Sequence, residues 1–230
     1  MFDLVYACDD FVVINKHPNV SVHKDDGDTM LVHDVAKALQ CEKLYLVHRL
    51  DKMTSGLLLL AKSNQAASVL SQLFAHKKIE KYYLALGAKK PKKKQGLIEG
   101  DMERSRRASW KLLPSKVNPA ITQFFSLSAK PGERLFLCRP HTGKTHQIRV
   151  ALKSIGSPII GDPIYNPSSD ADRGYLHAFA LRFGFNEESF EFTCDPREFA
   201  ACGSKWTEPV VSENINQWSE PWSLQWPKIK

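Results

Sequence analysis

The chain has no apolar run approaching the roughly 20 residues a bilayer-spanning helix needs. Its start, Met1-Phe2-Asp3-Leu4-Val5-Tyr6, lacks the basic segment and long apolar stretch of an export signal. Both absences argue against membrane insertion and export. Cysteine is sparse: Cys8, Cys41, Cys138, Cys194 and Cys202 are odd in number, widely spaced and without a Cys-x-x-Cys pair. Neither a disulfide framework nor a zinc site is indicated, and reduced thiols in a cytoplasmic protein are the expectation. A phosphate-binding P-loop is missing too. Gly143-Lys144-Thr145 looks like the end of one, but Cys138 stands where its first glycine must be. His141 and His146 are five residues apart with no carboxylate or cysteine beside them, a poor metal pair. A metal-dependent nuclease would need a carboxylate and histidine cluster that the sequence does not offer.

Acidic residues are in deficit. Lys plus Arg number 32 against 25 Asp plus Glu, a net charge of +7 with a pI near 9.1. Such an excess favours a polyanionic partner, because phosphate neutralisation supplies most sequence-independent affinity for nucleic acid. The 230 residues, 43% apolar and 25% charged, suit one sizeable core, hence one domain or a domain with a tail.

Several elements can be read locally. Phe11 to Lys16 predicts a strand ending in a turn at His17-Pro18-Asn19. Ser63 is a candidate N-cap for a helix to about Lys78, with Ala66, Val69, Leu70, Leu73 and Phe74 on its apolar face. Lys81 to Leu86 and Ala120 to Phe125 read as strands, the latter paired with Arg134 to Cys138 across Pro131-Gly132. Thr145 predicts the N-cap of a helix through Ser154, with Ile148, Ala151, Leu152 and Ile155 buried and Gly156 as its stop. The run Lys89-Lys90-Pro91-Lys92-Lys93-Lys94 is a cationic loop expected to be mobile, and Arg104-Ser105-Arg106-Arg107 is a second basic run. Together they form a candidate phosphate-gripping finger, and a solvated face is the competing reading.

His48-Arg49-Leu50-Asp51-Lys52-Met53-Thr54-Ser55-Gly56 is the most informative stretch, a polar loop clamped between Leu44-Leu46-Val47 and Leu57 to Leu60. On its residues alone, a strand-turn-strand with Asp51 capping the turn competes evenly with a catalytic loop. The stretch resembles the active-site loop of the RluA family of pseudouridine synthases, His-Arg-Leu-Asp, two variable residues, then Thr-Ser-Gly. All seven fixed positions are present. More of the chain is similar to that family. Lys81-Tyr82-Tyr83 stands at its Lys-x-Tyr element, Thr142 to Arg149 at its Gly-Arg/Lys-Thr-His-Gln-Ile-Arg element, and Gly161 to Tyr165 and Leu176-His177-Ala178 at later elements. The opening Asn-Lys-Pro motif is matched less well: His17 precedes Pro18, Asn19 stands near the expected glycine, and Val22-His23 follows. Asn tolerates the positive φ such a turn needs.

The resemblance implies an α+β fold, a mixed, largely antiparallel bent sheet with flanking helices. Residues 1–190 would form the catalytic domain. Residues 191–230, holding Trp206, Trp218, Trp222 and Trp226, would be a Trp/Pro-rich tail packing on it. It implies isomerisation of uridine in rRNA or tRNA with no metal, nucleotide or other cofactor. Asp51 would be the catalytic aspartate, by covalent attack or through a glycal, Tyr83 would lie against the base, and Arg149 would pair with Asp51. Either route needs an ionised carboxylate in a dry pocket, where burial raises its pKa and an arginine partner reverses that. The target base would be flipped out of the RNA. Arg49, Lys92, Lys93, Lys94, Arg104, Arg106, Arg107 and His146 are the candidate RNA contacts. With the first motif so near Met1, no extra N-terminal RNA-binding domain is expected, and a monomer is the default. The alternative is a non-catalytic RNA-binding protein or RNA chaperone on the same fold, for which loss of Asp51, Tyr83 or Arg149 would speak. All three are present.

Overall fold

The computed structural model describes residues 1–22, 31–106, 108–199 and 202–229. His23 of the opening motif and Arg107 of the second basic run lie outside the described residues. Among those described, no helix is long and apolar enough to cross a membrane.

A ten-stranded sheet forms the frame. Its path runs β1 (Phe2–Ala7), β2 (Phe11–Lys16), β4 (Ser55–Ala61), β11 (Leu176–Phe185), β5 (Glu80–Ala88), β10 (Glu133–Pro140), β9 (Ala120–Ser128), β6 (Gln95–Gly100). The short β3 (Tyr45–Leu46) adds to β4, and β12 (Glu188–Thr193) to β11. Every joint is antiparallel except β4 with β11, where Ser55 faces His177 and Gly56 faces Ala178. A separate two-stranded hairpin joins β7 (Met102–Arg104) to β8 (Trp110–Leu112). With helices α1 (Leu31–Ala38), α2 (Asn64–Ala75), α3 (Gln147–Ser154) and α4 (Pro209–Asn216), the architecture is α+β, mixed and largely antiparallel.

Alternation along β5 sorts its residues to two faces. Tyr82, Leu84 and Leu86 join a core with Leu135, Leu137, Trp206 and Trp218, against which Trp222 and Trp226 also pack. Tyr83 and Ala85 belong to the other face, with Phe136, Cys138, Ile148 and Leu152. The C-terminal tryptophans thus lie on the face opposite Tyr83. They fill an apolar layer, as bulky aromatics usually do.

The parallel joint imposes the tightest constraint. Gly56 has φ +106°, and a Cβ there would come within 2.3 Å of the Ala178 carbonyl oxygen. Only glycine lets β11 lie against the start of β4. Asn19 takes φ 63°, the conformation its turn required.

Two helix boundaries differ from expectation. Ser63 does cap α2, its side chain accepting from the Ala66 N–H at 3.0 Å, but the helix ends at Ala75 rather than near Lys78. Lys77 turns left-handed at φ 58°, and the Lys78 N–H bonds back to the Leu73 carbonyl at 2.8 Å, a Schellman-type stop. Helix α3 is not capped by Thr145. His146 holds that position in the left-handed region with no side-chain cap. The buried Gln147 side chain folds the preceding loop instead. Its Oε1 accepts from the Lys144 N–H and the Thr142 hydroxyl, and its Nε2 donates to Ile121 O and Thr122 Oγ1. One amide bonded on four sides ties the loop before α3 to β9.

Candidate active site

The polar loop between β3 and β4 opens onto a cleft of about 1150 Å³ lined by Arg49, Asp51, Lys81, Tyr83, His146 and Arg149 among others. The loop turns through its main chain: the Thr54 N–H donates to the Asp51 carbonyl at 3.0 Å. This leaves the Asp51 carboxylate for the cleft rather than for the turn. Leu50 and Met53 are buried on either side of it and anchor the loop.

His48, the first residue of the motif, serves as support. Its Nε2 accepts from the Leu59 N–H at 2.9 Å and its ring stacks on Phe74 with centroids 4.4 Å apart. Burial, then Lys81, pushes its pKa down to about 3, so it is a neutral acceptor. Beneath the loop the Lys16 ammonium is fully buried and donates to the carbonyls of His17, Val20 and Lys52 at 2.9, 2.8 and 3.2 Å. These three bonds tie the Asn19 turn to the Asp51 loop.

Helix α3 delivers Arg149 to the same place. Its Nη1 donates to Asp51 Oδ2 at 3.0 Å, joining residues 98 apart in the chain. Two further bonds go to Asp162: Nε to Oδ2 at 2.7 Å and Nη2 to Oδ1 at 2.9 Å. Asp162 is 0% exposed, and its Oδ1 also accepts from the Ile164 and Tyr165 N–H groups at 2.9 and 3.0 Å. A bidentate, fully buried carboxylate thus fixes the guanidinium, whose remaining edge is aimed at Asp51. Burial works against the charge of Arg149, but Asp162 first and Asp51 second outweigh it and raise its pKa. The Tyr165 ring covers the guanidinium at 5.1 Å.

Asp51 itself keeps 27% exposure. The dry pocket expected from sequence is therefore found behind the carboxylate, around Arg149 and Asp162, while its other edge faces an open cleft. Tyr83, half-buried on the cleft side of β5, has its pKa raised by burial and then by Asp51, so its hydroxyl stays protonated. Lys81, two residues earlier on the same face, also lines the cleft, with its pKa lowered by burial.

Among the sequence-derived candidates, Arg49 and His146 line the cleft with Asp51, Tyr83 and Arg149. Lys92, Lys93, Lys94, Arg104 and Arg106 are exposed and lie outside it. The lysine run, expected to be mobile, has an anchored backbone: Lys89 N bonds to Gly132 O, Lys92 N to Ile155 O, and Pro91 is buried. The arginine hairpin sits nearer, because the Trp110 N–H donates to the Tyr165 hydroxyl at 2.8 Å. Sequence reasoning missed Asp162 and Tyr165. The Gly161 to Tyr165 turn was visible as a motif, but nothing local said that its aspartate meets Arg149. Lys81 and Lys144 also went unassigned as cleft residues, although the alternation of Lys81 with Tyr83 carries the signal.

An aspartate held by an arginine shares a cation-rimmed cleft with a protonated tyrosine. Residues 10–154 match the profile of the family described as RNA pseudouridylate synthase, and the chain belongs to that family. An uncharacterized RNA pseudouridine synthase of Haemophilus influenzae is 50% identical over 214 residues, covering 93% of this chain and 94% of that one. The ribosomal large subunit pseudouridine synthase C of Vibrio vulnificus is 32% identical over 190 residues, 78% of this chain but only 60% of the relative. The solved structure of human RNA pseudouridylate synthase domain containing 1 superposes with a TM-score of 0.76 at 26% identity, covering 100% of this chain and 97% of that one.

Proposed function

We propose that the protein converts specific uridines of a structured rRNA or tRNA to pseudouridine, with Asp51, Tyr83 and Arg149 as the reacting constellation. The observation that carries this reading is the 3.0 Å bond from Arg149 to Asp51 at the floor of the cleft. The reaction breaks the bond between uracil N1 and the sugar, turns the base, and rejoins it through C5. Asp51 contributes the carboxylate that attacks the sugar or removes a sugar proton. Arg149 holds that carboxylate aimed through its hydrogen bond, and Tyr83 offers a face against which the extruded base lies. Arg49 and Lys81 stand in the same cleft, placed for the phosphates of a flipped nucleotide. Lys92, Lys93 and Lys94, with Arg104 and Arg106, extend the cationic surface beyond it.

We assign catalysis to residues 1–190 and a covering role to residues 191–230, supported by the packing of Trp206 and Trp218 against the face opposite the cleft. Five unpaired cysteines support a reducing, cytoplasmic setting. The test is to map pseudouridine across total rRNA and tRNA from cells lacking the protein, complemented with wild type or Asp51→Asn. A site lost in the deletion and restored by wild type alone establishes activity and target together. Unchanged maps in every strain would remove rRNA and tRNA as substrates.

A further inference from the structure

His146 is the residue just before α3, three positions ahead of Arg149, and both line the cleft with Asp51. Its backbone is left-handed at φ 58°, an uncommon conformation for a residue other than glycine. The two ring nitrogens are differently placed. Nδ1 lies 2.9 Å from the Tyr165 hydroxyl, whereas Nε2 makes no hydrogen bond among the described residues, and the residue lines the cleft.

The proton shared between His146 and Tyr165 can be assigned from the other partner of the hydroxyl. The hydroxyl oxygen accepts the Trp110 N–H at 2.8 Å. Among the described residues the acceptor available to the hydroxyl proton is His146 Nδ1. A buried hydroxyl left without an acceptor costs free energy, so Tyr165 donates to Nδ1. An imidazole that accepts at Nδ1 carries its proton on Nε2. Burial, then the Arg149 charge, also lowers the His146 pKa against the opposing pull of Asp51 and Asp162, which favours this neutral form.

We propose that His146 is a catalytic hydrogen-bond donor, its Nε2–H held toward the cleft by Tyr165 to engage a carbonyl oxygen of the target uracil. The proposal rests on the isomerase reading above and gives one cleft residue a defined role in it. When the bond between N1 and the sugar breaks, the electron pair departs with the uracil and spreads onto its carbonyl oxygens. A neutral N–H aimed at one of them stabilises that charge and keeps its own proton throughout. An imidazolium would serve less well, because its Nδ1–H would leave the Tyr165 hydroxyl proton without an acceptor among the described residues. Tyr165 is the positioning residue: its ring covers Arg149 while its hydroxyl sets the His146 tautomer.

The first test is nitrogen NMR of the full chain labelled with ¹⁵N-histidine at neutral pH. His146 is expected with its proton on Nε2 and a bare Nδ1. Tyr165→Phe is expected to release it into a mixture of tautomers. A proton on Nδ1 in the wild type overturns the proposal. The second test measures single-turnover pseudouridine formation in rRNA and tRNA purified from cells lacking the protein. His146→Leu removes the donor at similar volume and is expected to slow the reaction about 10²-fold. His146→Gln, whose amide N–H reaches the Nε2 position, is expected to recover most of that loss. The two variants share whatever backbone strain φ 58° imposes, so strain alone would impair them equally. Equal impairment, or a His146→Leu variant as fast as wild type, overturns the proposal while leaving the isomerase reading standing. A wild type that forms no pseudouridine in these RNAs overturns the reading and the proposal together.

Discussion

The two cationic regions of this protein are built on opposite principles. At Arg149 one guanidinium is shared between two carboxylates, with Asp162 bonded on both oxygens and Asp51 on one. At Lys92–Lys94, Arg104 and Arg106 the charges stand in solvent, and among the described residues their side chains form no ion pair. The contrast follows from solvation. A buried ion must be compensated by partners of fixed geometry, whereas an exposed one keeps its water until a polyanion displaces the counterions. One region is held in fixed geometry by its partners, and the other keeps its charges in solvent.

That contrast can be broken first at its reactive end. Asp51→Asn is expected to lower single-turnover isomerisation by at least about 10³-fold while RNA affinity and melting temperature stay near wild type. Retained turnover would place the chemistry elsewhere. Next in size is Arg149→Ala, which strands the fully buried Asp162. A loss of roughly 3–5 kcal/mol in denaturant unfolding is expected, together with slower turnover. Wild-type stability in that variant would mean the buried pair does not hold the site.

A third effect appears on acidification. Burial first of all holds His48, His177 and His141 to pKa values of about 3, 3 and 4, below the unfolded value of about 6.5. The folded state therefore holds neutral imidazoles, and their contribution is complete above pH ~6.5 and lost as pH falls toward 4 and 3. The melting temperature should drop steadily over that range, and a flat profile would show that these rings protonate without cost. The smallest effect belongs to the exposed region. Replacing Lys92, Lys93 and Lys94 with Gln should leave stability unchanged and reduce the salt dependence of RNA binding by roughly one unit of log–log slope for each phosphate no longer neutralised. An unaltered slope would assign that loop to solvent alone.

Much of the frame was legible locally. The strands at Phe11–Lys16, Ala120–Ser128 and Glu133–Pro140 and the Ser63 cap follow from alternation and capping chemistry, which act over a few residues. The parallel joint between β4 and β11 did not, since it pairs residues more than a hundred positions apart. Helix ends were misplaced where a residue turned left-handed, as at Lys77 and His146. Asp51, Tyr83 and Arg149 were named through the motifs they resemble, and the fold brings the three to one cleft. Asp162 and Tyr165 were not, because each acquires its role only by touching Arg149.

Residue order by itself determined the local elements, the basic character and the motif aspartate, because propensity, periodicity and charge are properties of neighbouring residues. Tertiary structure alone decided that Asp162 would be the buried anchor of Arg149, that Asp51 would keep an open edge, and that Tyr165 would meet His146. Those facts depend on distances between segments brought together by the sheet. Hydrogen bonds and ion pairs act over a few ångströms, whatever the separation along the chain.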